Sequence, residues 1–297
     1  MTDLEWIAAD WGTTNVRAWA MSKDGDILAE ATSADGMGTL APDGFEDAFA
    51  RLTADWTLAD RCPVLICGMA GARQGWTEAP YAAVPTAPDV TPPTPVDTRS
   101  NRWKVRILPG LSQQTPPDVM RGEETQIAGF LTLHPQFDGT LILPGSHTKW
   151  VQVSAGEIVS FQTAMTGEIY AALSGHTVLR HSVGCDIDPD AFAEAVSDGL
   201  SRPEALAARA FQLRADDLLH GLDPARATGR LSGLLVGAEL AHARPYWLGM
   251  QTALIGASKL SQTYASALES QGVTPVIERG DACTLAGLRA AFARWKD

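Results

Sequence analysis

The chain has 297 residues, enough for about two domains, with 45% hydrophobic and 20% charged residues, a composition that excludes long disorder. Its 23 basic and 35 acidic side chains give a net charge of −12. That field excludes broad nucleic-acid or anionic-membrane binding, yet leaves room for a local basic pocket for a small anion.

In chain order, residues 4–10 read as an apolar strand ending at an acid, and residues 15–21 as a second strand. Asp24-Gly25 is a hairpin signal, and residues 27–32 form the third strand. Asp43 with Glu46 forms a capping-box-like start for a helix that aligns Phe45, Phe49, Leu52 and Trp56 on one face. Residues 63–67, ending in Gly68, read as a buried parallel strand. Five prolines between Pro85 and Pro95 predict an irregular excursion. A strand is expected over residues 105–108 and a helix over 121–133.

The second half opens with a strand at residues 140–143. Helices are expected from Ser201, with Pro203 and Glu204 in the first turn, and over residues 225–242, where Gly233, Gly237 and Ala238 permit close packing. Residues 251–255 form a strand, 258–270 a helix closed by Gly272, and 273–278 a strand. Asp281 caps a last helix striped by Leu285, Leu288, Phe292 and Trp295. No apolar run spans a bilayer, and the acidic residues 1–6 lack the basic start of a signal peptide. Cys62, Cys67, Cys185 and Cys283 have no short paired spacing, a reduced, cytoplasmic pattern.

Two stretches share a plan. Ile7-Ala8-Ala9-Asp10-Trp11-Gly12-Thr13-Thr14-Asn15 and Leu141-Ile142-Leu143-Pro144-Gly145-Ser146-His147-Thr148-Lys149 each lead through a glycine-hydroxyl turn into two further strands, which suggests a duplicated domain. Such turns suit phosphate, because glycine lets backbone donors approach and Thr or Ser adds a hydroxyl. Gly12, Thr13, Thr14 and Asn15 form one such cradle; Gly145, Ser146 and Thr148 form the other. Arg17 and Lys149 could add positive charge, and Asp10 could hold Mg²⁺ through water. Gly256-Ala257-Ser258, between a strand and a helix, leaves space for a flat base. Each turn could instead be a plain connection.

Asp10-Trp11-Gly12-Thr13-Thr14-Asn15-Val16-Arg17 resembles the first phosphate motif of the actin/hexokinase/Hsp70 ATPase superfamily. Gly145-Ser146 with Thr148 resembles the second, and residues 254–258 the adenosine motif, with Ala257 in place of its second glycine. Gly68-Met69-Ala70-Gly71, Met120-Arg121-Gly122-Glu123-Glu124-Thr125-Gln126, Pro144-Gly145-Ser146-His147-Thr148-Lys149-Trp150 and Met165-Thr166-Gly167-Glu168 together are similar to the 2-dehydro-3-deoxygalactonokinase family.

The resemblance covers nearly the whole chain. It implies an α/β, two-lobed, duplicated RNase H-like (actin-like ATPase) fold with a central cleft. The expected lobes are residues 1–130 plus the C-terminal helix 281–297, and residues 131–280, which bind nucleotide. It implies a kinase that uses ATP and Mg²⁺ to phosphorylate the 6-hydroxyl of 2-dehydro-3-deoxy-D-galactonate.

Glu124, before Thr125, stands where the resemblance implies a catalytic acid and is the first candidate for the base, followed by Glu123 and Asp10; both glutamates would also suit a helix N-terminus. Arg121 and Arg73 are candidate carboxylate anchors, Trp76 and Tyr81 candidate pocket walls, and His147 could face phosphate or substrate. The expected partner is a small sugar acid, not nucleic acid or membrane, and a homodimer stays open. Rival readings are a kinase for another small sugar, or a nucleotide-gated binding protein without transfer.

Overall fold

The structure is a computed structural model and describes residues 3–295. Met1, Thr2, Lys296 and Asp297, at the ends of the opening stretch and last helix read above, lie outside the described residues. The chain divides into two compact units. The first holds the chain up to Phe137, Ser154–Ser160 and the chain from Gly280; the second holds Asp138–Val153 and Phe161–Arg279.

The first unit begins with an antiparallel meander of β1 (Trp6–Trp11), β2 (Val16–Met21) and β3 (Ile27–Ser33). Then follow α1 (Phe45–Leu52), β4 (Cys62–Gly68), β5 (Tyr81–Ala83), β6 (Thr94–Pro95), β7 (Trp103–Ile107), β8 (Gly110–Gln113), β9 (Asp118–Met120) and α2 (Glu123–Leu133). The main sheet runs β3-β2-β1-β4-β7-β6, with β1, β4 and β7 parallel, and β5-β8-β9 form a small separate sheet. β1 is apolar almost throughout because both its faces are covered. Ile7, Ala9 and Trp11 pack with Phe45 and Phe49 on one face; Trp6 and Ala8 pack in a second core on the other.

The second unit holds β10 (Gly139–Leu143), β11 (Thr148–Ser154) up to Val153, β12 (Glu157–Ala164) from Phe161 on, α3 (Thr166–His176), α4 (Pro189–Ser201), α5 (Leu206–His220), α6 (Pro224–His242), α7 (Arg244–Trp247), β13 (Thr252–Gly256), α8 (Ser258–Glu269) and β14 (Val276–Arg279). Its sheet order, β12-β11-β10-β13-β14, repeats the β3-β2-β1-β4-β7 order of the first unit. In both, a three-strand antiparallel meander continues into parallel strands. The two glycine-hydroxyl turns therefore occupy the same place, between the first and second strands. The chain then returns to the first unit as α9 (Gly280–Trp295), where Leu285, Leu288, Phe292 and Trp295 share a core with Trp6 and Ala8.

Several elements differ from expectation. No side chain caps α1: its N-cap is Gly44, and Asp43 lies in a short turn before it. Glu46 is spent elsewhere, accepting the Arg99 and Ser100 backbone N–H groups at 2.8 Å each. Trp56 lies beyond the end of α1, though still in its core. Ser201 ends a helix rather than starting one, and a 3-10 turn at Pro203–Ala205 precedes α5. The unforeseen α4 is capped by Asp188, which accepts the Ala191 N–H at 2.8 Å. It packs closely on α6, where a Cβ at Gly233 would stand 2.4 Å from the Phe192 carbonyl. Asp281 sits inside the first turn of α9 rather than before it.

Candidate active site

In the first unit the parallel register sets Asp10 beside Cys67 and Trp11 beside Gly68. Gly68 has φ +87°, and a Cβ there would stand 2.6 Å from the Trp11 carbonyl. Gly122, the N-cap of α2, has φ +105°, and its own virtual Cβ would stand 3.4 Å from the Gly68 Cα. Glycine at both positions lets the α2 N-terminus approach the ends of β1 and β4. Three carboxylates gather as a result.

Asp10 is partly exposed and accepts a weak bond from the Cys67 thiol at 3.7 Å. Loss of hydration, reinforced by the Glu123 charge, pushes its pKa up to about 6. Glu124 is buried; its Oε2 accepts the Gly122 N–H at 2.7 Å and its Oε1 the Thr125 hydroxyl at 3.2 Å. Burial first, and the Glu123 charge second, push its pKa up to about 8. Glu123 accepts the Arg121 backbone N–H at 3.0 Å. Burial and the charges of Asp10 and Glu124 push the Cys67 thiol well above its ordinary range, so it stays a neutral donor.

Arg121 is buried with its guanidinium 4.3 Å over the Tyr81 ring, and Nη2 donates to the Ala79 carbonyl at 2.8 Å. Nε and Nη1 have no hydrogen-bond partner among the described residues. Tyr81 is half exposed on β5. Arg73 extends into solvent with Glu78 3.7 Å away, and does not join this group. Trp76 is partly buried and packs against Trp11, Phe45 and Phe49 of the aromatic core, with centroids 6.0–6.3 Å apart.

The Gly12 turn closes through Gly12 N–H to the Asn15 carbonyl at 2.8 Å, and the Met37 and Gly38 N–H groups pin it from behind. Thr13, Thr14 and Asn15 are exposed. Arg17 is turned along the sheet, paired with Glu30 at 2.6 Å and Asp281 at 3.6 Å, so its charge is committed away from the turn.

In the second unit, Gly145 and Ser146 connect β10 to β11, and α3 begins directly against them. Glu168 N–H donates to the Ser146 carbonyl at 2.9 Å, and a Cβ at Gly167 would meet the Gly145 carbonyl at 2.3 Å. His147 is exposed, with Nε2 2.5 Å from a Glu168 carboxylate oxygen. Thr148 and Lys149, consecutive on β11, take opposite faces of the strand and are both buried. Strand alternation buries the Thr148 hydroxyl against Tyr264 at 2.9 Å, while Lys149 Nζ donates to Thr163 at 2.8 Å. Gly256 lies close to Pro144, so the β13-to-α8 turn borders the Gly145 turn; Ala257 and Ser258 are exposed at an α8 N-terminus with no side-chain cap.

Sequence reasoning ranked neither Cys67 nor Glu168. The register of β1 against β4 is the signal for the first, and the spacing of Thr166-Gly167-Glu168 after a glycine-hydroxyl turn for the second. Among the described residues, no three His, Cys, Asp or Glu side chains group as a metal cluster, and no helix is long and apolar enough to cross a membrane.

Comparison with known proteins agrees with this geometry. The family model for 2-keto-3-deoxy-galactonokinase matches residues 10–291. A Rhizobium meliloti (strain 1021) protein that carries the name 2-dehydro-3-deoxygalactonokinase DgoK1 is 39% identical over 96% of this chain and 95% of its own. The 2-dehydro-3-deoxygalactonokinase of Escherichia coli (strain K12) is 35% identical over 96% of each chain. A Sinorhizobium meliloti crystal structure assigned as a 2-dehydro-3-deoxygalactonokinase superposes with a TM-score of 0.90 at 39% identity, covering 98% of this chain and 97% of that one. The activator of 2-hydroxyisocaproyl-CoA dehydratase from Clostridium difficile, solved with ADPNP, shares the fold at a TM-score of 0.52 and 10% identity, covering 98% and 95%. The duplicated RNase H-like α/β architecture is thus that of the actin-like ATPases, and the chain belongs to the 2-keto-3-deoxy-galactonokinase family.

Proposed function

We propose that this chain is a kinase that transfers the γ-phosphoryl group of ATP to the 6-hydroxyl of 2-dehydro-3-deoxy-D-galactonate. The observation that carries this reading is the buried carboxylate of Glu124 beside Asp10 and Glu123, in a chain matched by the family model over almost its whole length. Glu124 is the proposed base. A desolvated carboxylate holds a proton more tightly than one in water, which suits it to accept the hydroxyl proton as the oxygen attacks phosphorus. The new P–O bond forms as the bond to the β-phosphate oxygen breaks, and ADP leaves. Glu123, which holds the loop into α2 through the Arg121 N–H, keeps that carboxylate in place.

The exposed turns formed by Gly12, Thr13, Thr14 and Asn15, and by Gly145 and Ser146, are proposed to bind phosphates through backbone and hydroxyl donors, with His147 beside the second. Gly256, Ala257 and Ser258 are proposed to receive the adenosine. Arg17, Thr148 and Lys149 have no direct part. Mg²⁺ fits the donor set: Asp10 is a hard oxygen ligand under like-charge pressure from Glu123. The ion would be held by Asp10, with water and phosphate oxygens completing its shell, and would supply charge neutralisation of the phosphates. Arg121 is the proposed carboxylate anchor, because it is a buried cation whose Nε and Nη1 donors lack partners. Tyr81 flanks it.

The test is ADP release with Mg-ATP across 2-dehydro-3-deoxy-D-galactonate, its gluconate epimer, glucose, N-acetylglucosamine and a blank. Turnover with the first supports the reading. Turnover confined to a neutral sugar overturns the substrate and the role of Arg121. ATP binding without turnover on any of them favours the nucleotide-gated binding protein.

A further inference from the structure

Beneath the Gly145–Ser146 turn lies a buried polar chain that the proposed chemistry does not use. Glu239 of α6 is 6% exposed, and its partners Trp150 and Tyr264 belong to the apolar core of the second unit. One carboxylate oxygen accepts the Trp150 indole N–H at 2.7 Å and the other accepts the Tyr264 hydroxyl at 2.8 Å. The single phenolic proton is thereby spent. The Tyr264 oxygen therefore accepts from the Thr148 hydroxyl, 2.9 Å away. The Thr166 hydroxyl, on the first residue of α3, lies within reach of Glu239 and Tyr264, and its one proton serves one of them.

The chain of bonds ties α6, α8, β11 and α3 together at one point. Two of its ends flank the turn. Thr148 opens β11 two residues after Ser146, and Thr166 precedes Gly167, which lies against the Gly145 carbonyl. Apolar side chains would fill this volume at lower cost than a buried carboxylate. What a carboxylate adds is direction. It only accepts, so it orders every proton from Thr148 through Tyr264 to itself, and it fixes the rotamers that carry them.

We propose that Glu239 and Tyr264 are positioning residues for nucleotide binding: through Thr148 and Thr166 they hold the Gly145–Ser146 turn in the geometry that receives phosphate. The inference rests on the proposed nucleotide role of that turn.

The test compares Tyr264→Phe, Thr148→Val and the double variant with the wild-type chain. Binding of a fluorescent ATP analogue with Mg²⁺, the KM for ATP and kcat, and thermal melting are measured. Each variant removes one hydroxyl at near-constant volume, so all should fold. Each single variant should weaken ATP binding and raise its KM about five- to tenfold, with kcat changed less than about threefold. The double variant should be no worse than Tyr264→Phe alone, because that change already removes the bond that Thr148→Val cuts. Single variants with wild-type ATP affinity would overturn the proposal, as would effects that multiply in full in the double variant. A wild-type chain that binds no nucleotide would overturn the phosphate reading of the turn itself, and the inference with it.

Discussion

Glu124 combines two properties that a single substitution separates. Its folded pKa of about 8 lies above the ordinary 4.5 because burial, then the Glu123 charge, oppose ionisation. The folded state therefore binds the proton more tightly than the unfolded state between these two values. Stability is fully present below the lower one and declines as pH rises through the upper one. Glu124→Gln removes that dependence. At neutral pH it should stabilise the fold by on the order of 3 kcal/mol, and in urea melts the loss of stability from about pH 5 to about pH 8 should be clearly smaller than in the wild-type chain, with the part due to Asp10 remaining. Activity should move the other way: kcat should fall by about a hundredfold or more with little change in ATP binding. Full turnover in this variant would pass the base role to Asp10 or Glu123. Arg121→Met removes the guanidinium over Tyr81 and its unpartnered donors while keeping an unbranched side chain. The KM for the sugar acid should rise by about tenfold or more, with the KM for ATP unchanged. Equal losses in both would point to a fold defect rather than a lost anchor.

At the scale of elements, the site depends on how closely a helix end approaches two strand ends. Gly68→Ala tests this, because its Cβ would meet a backbone carbonyl that cannot move aside, at a φ that side chains avoid. A loss of about 2 kcal/mol or more is expected in urea unfolding. Unchanged stability would mean that the strand end yields. Much of this arrangement was legible in the sequence. The meanders, β4, β10, α2, α6, α8 and α9 follow from apolar period and glycine punctuation, and both glycine-hydroxyl turns lie between the strands expected of them. Asp10 was legible as an acid at a strand end, whereas Glu124 stood out only through the resemblance, since acids at a helix start also serve its dipole. Side-chain direction was not. Thr148 and Lys149 look like phosphate ligands by spacing from Gly145, but each finds a partner within its unit, Thr148 in Tyr264 of α8 and Lys149 in Thr163 of β12. Arg17 looks like a free cation until β3 sets Glu30 beside it. Trp76 looks like a pocket wall, yet it packs against Trp11, Phe45 and Phe49. Each partner is distant in sequence, so local pattern carries no trace of it. The unforeseen α4 has its Asp188 cap and Pro189 start in plain view, but its small residues weaken the helical stripe.

For the whole molecule, duplication supplies two equivalent turns, and ligand linkage gives a way to ask what the second one holds. A ligand that binds only the folded state stabilises it by about 2.7 kcal/mol at a hundred times its Kd. In a chain of this size that should raise Tm by roughly 4–5 °C with Mg-ATP. Gly145 is well suited to test the source of that rise. A Cβ at this position would find nothing closer than 3.7 Å, and its backbone is not in the left-handed region, so Gly145→Ala fits the unliganded fold. The added methyl occupies the space that backbone donors leave for a phosphate. The unliganded Tm should therefore stay within about 1–2 °C of wild type, while most of the Mg-ATP shift disappears. An intact shift would place the phosphates elsewhere. A lowered unliganded Tm would instead show that the turn has less room than its backbone leaves, and the comparison would then be made by titrating nucleotide at a temperature where both proteins are folded.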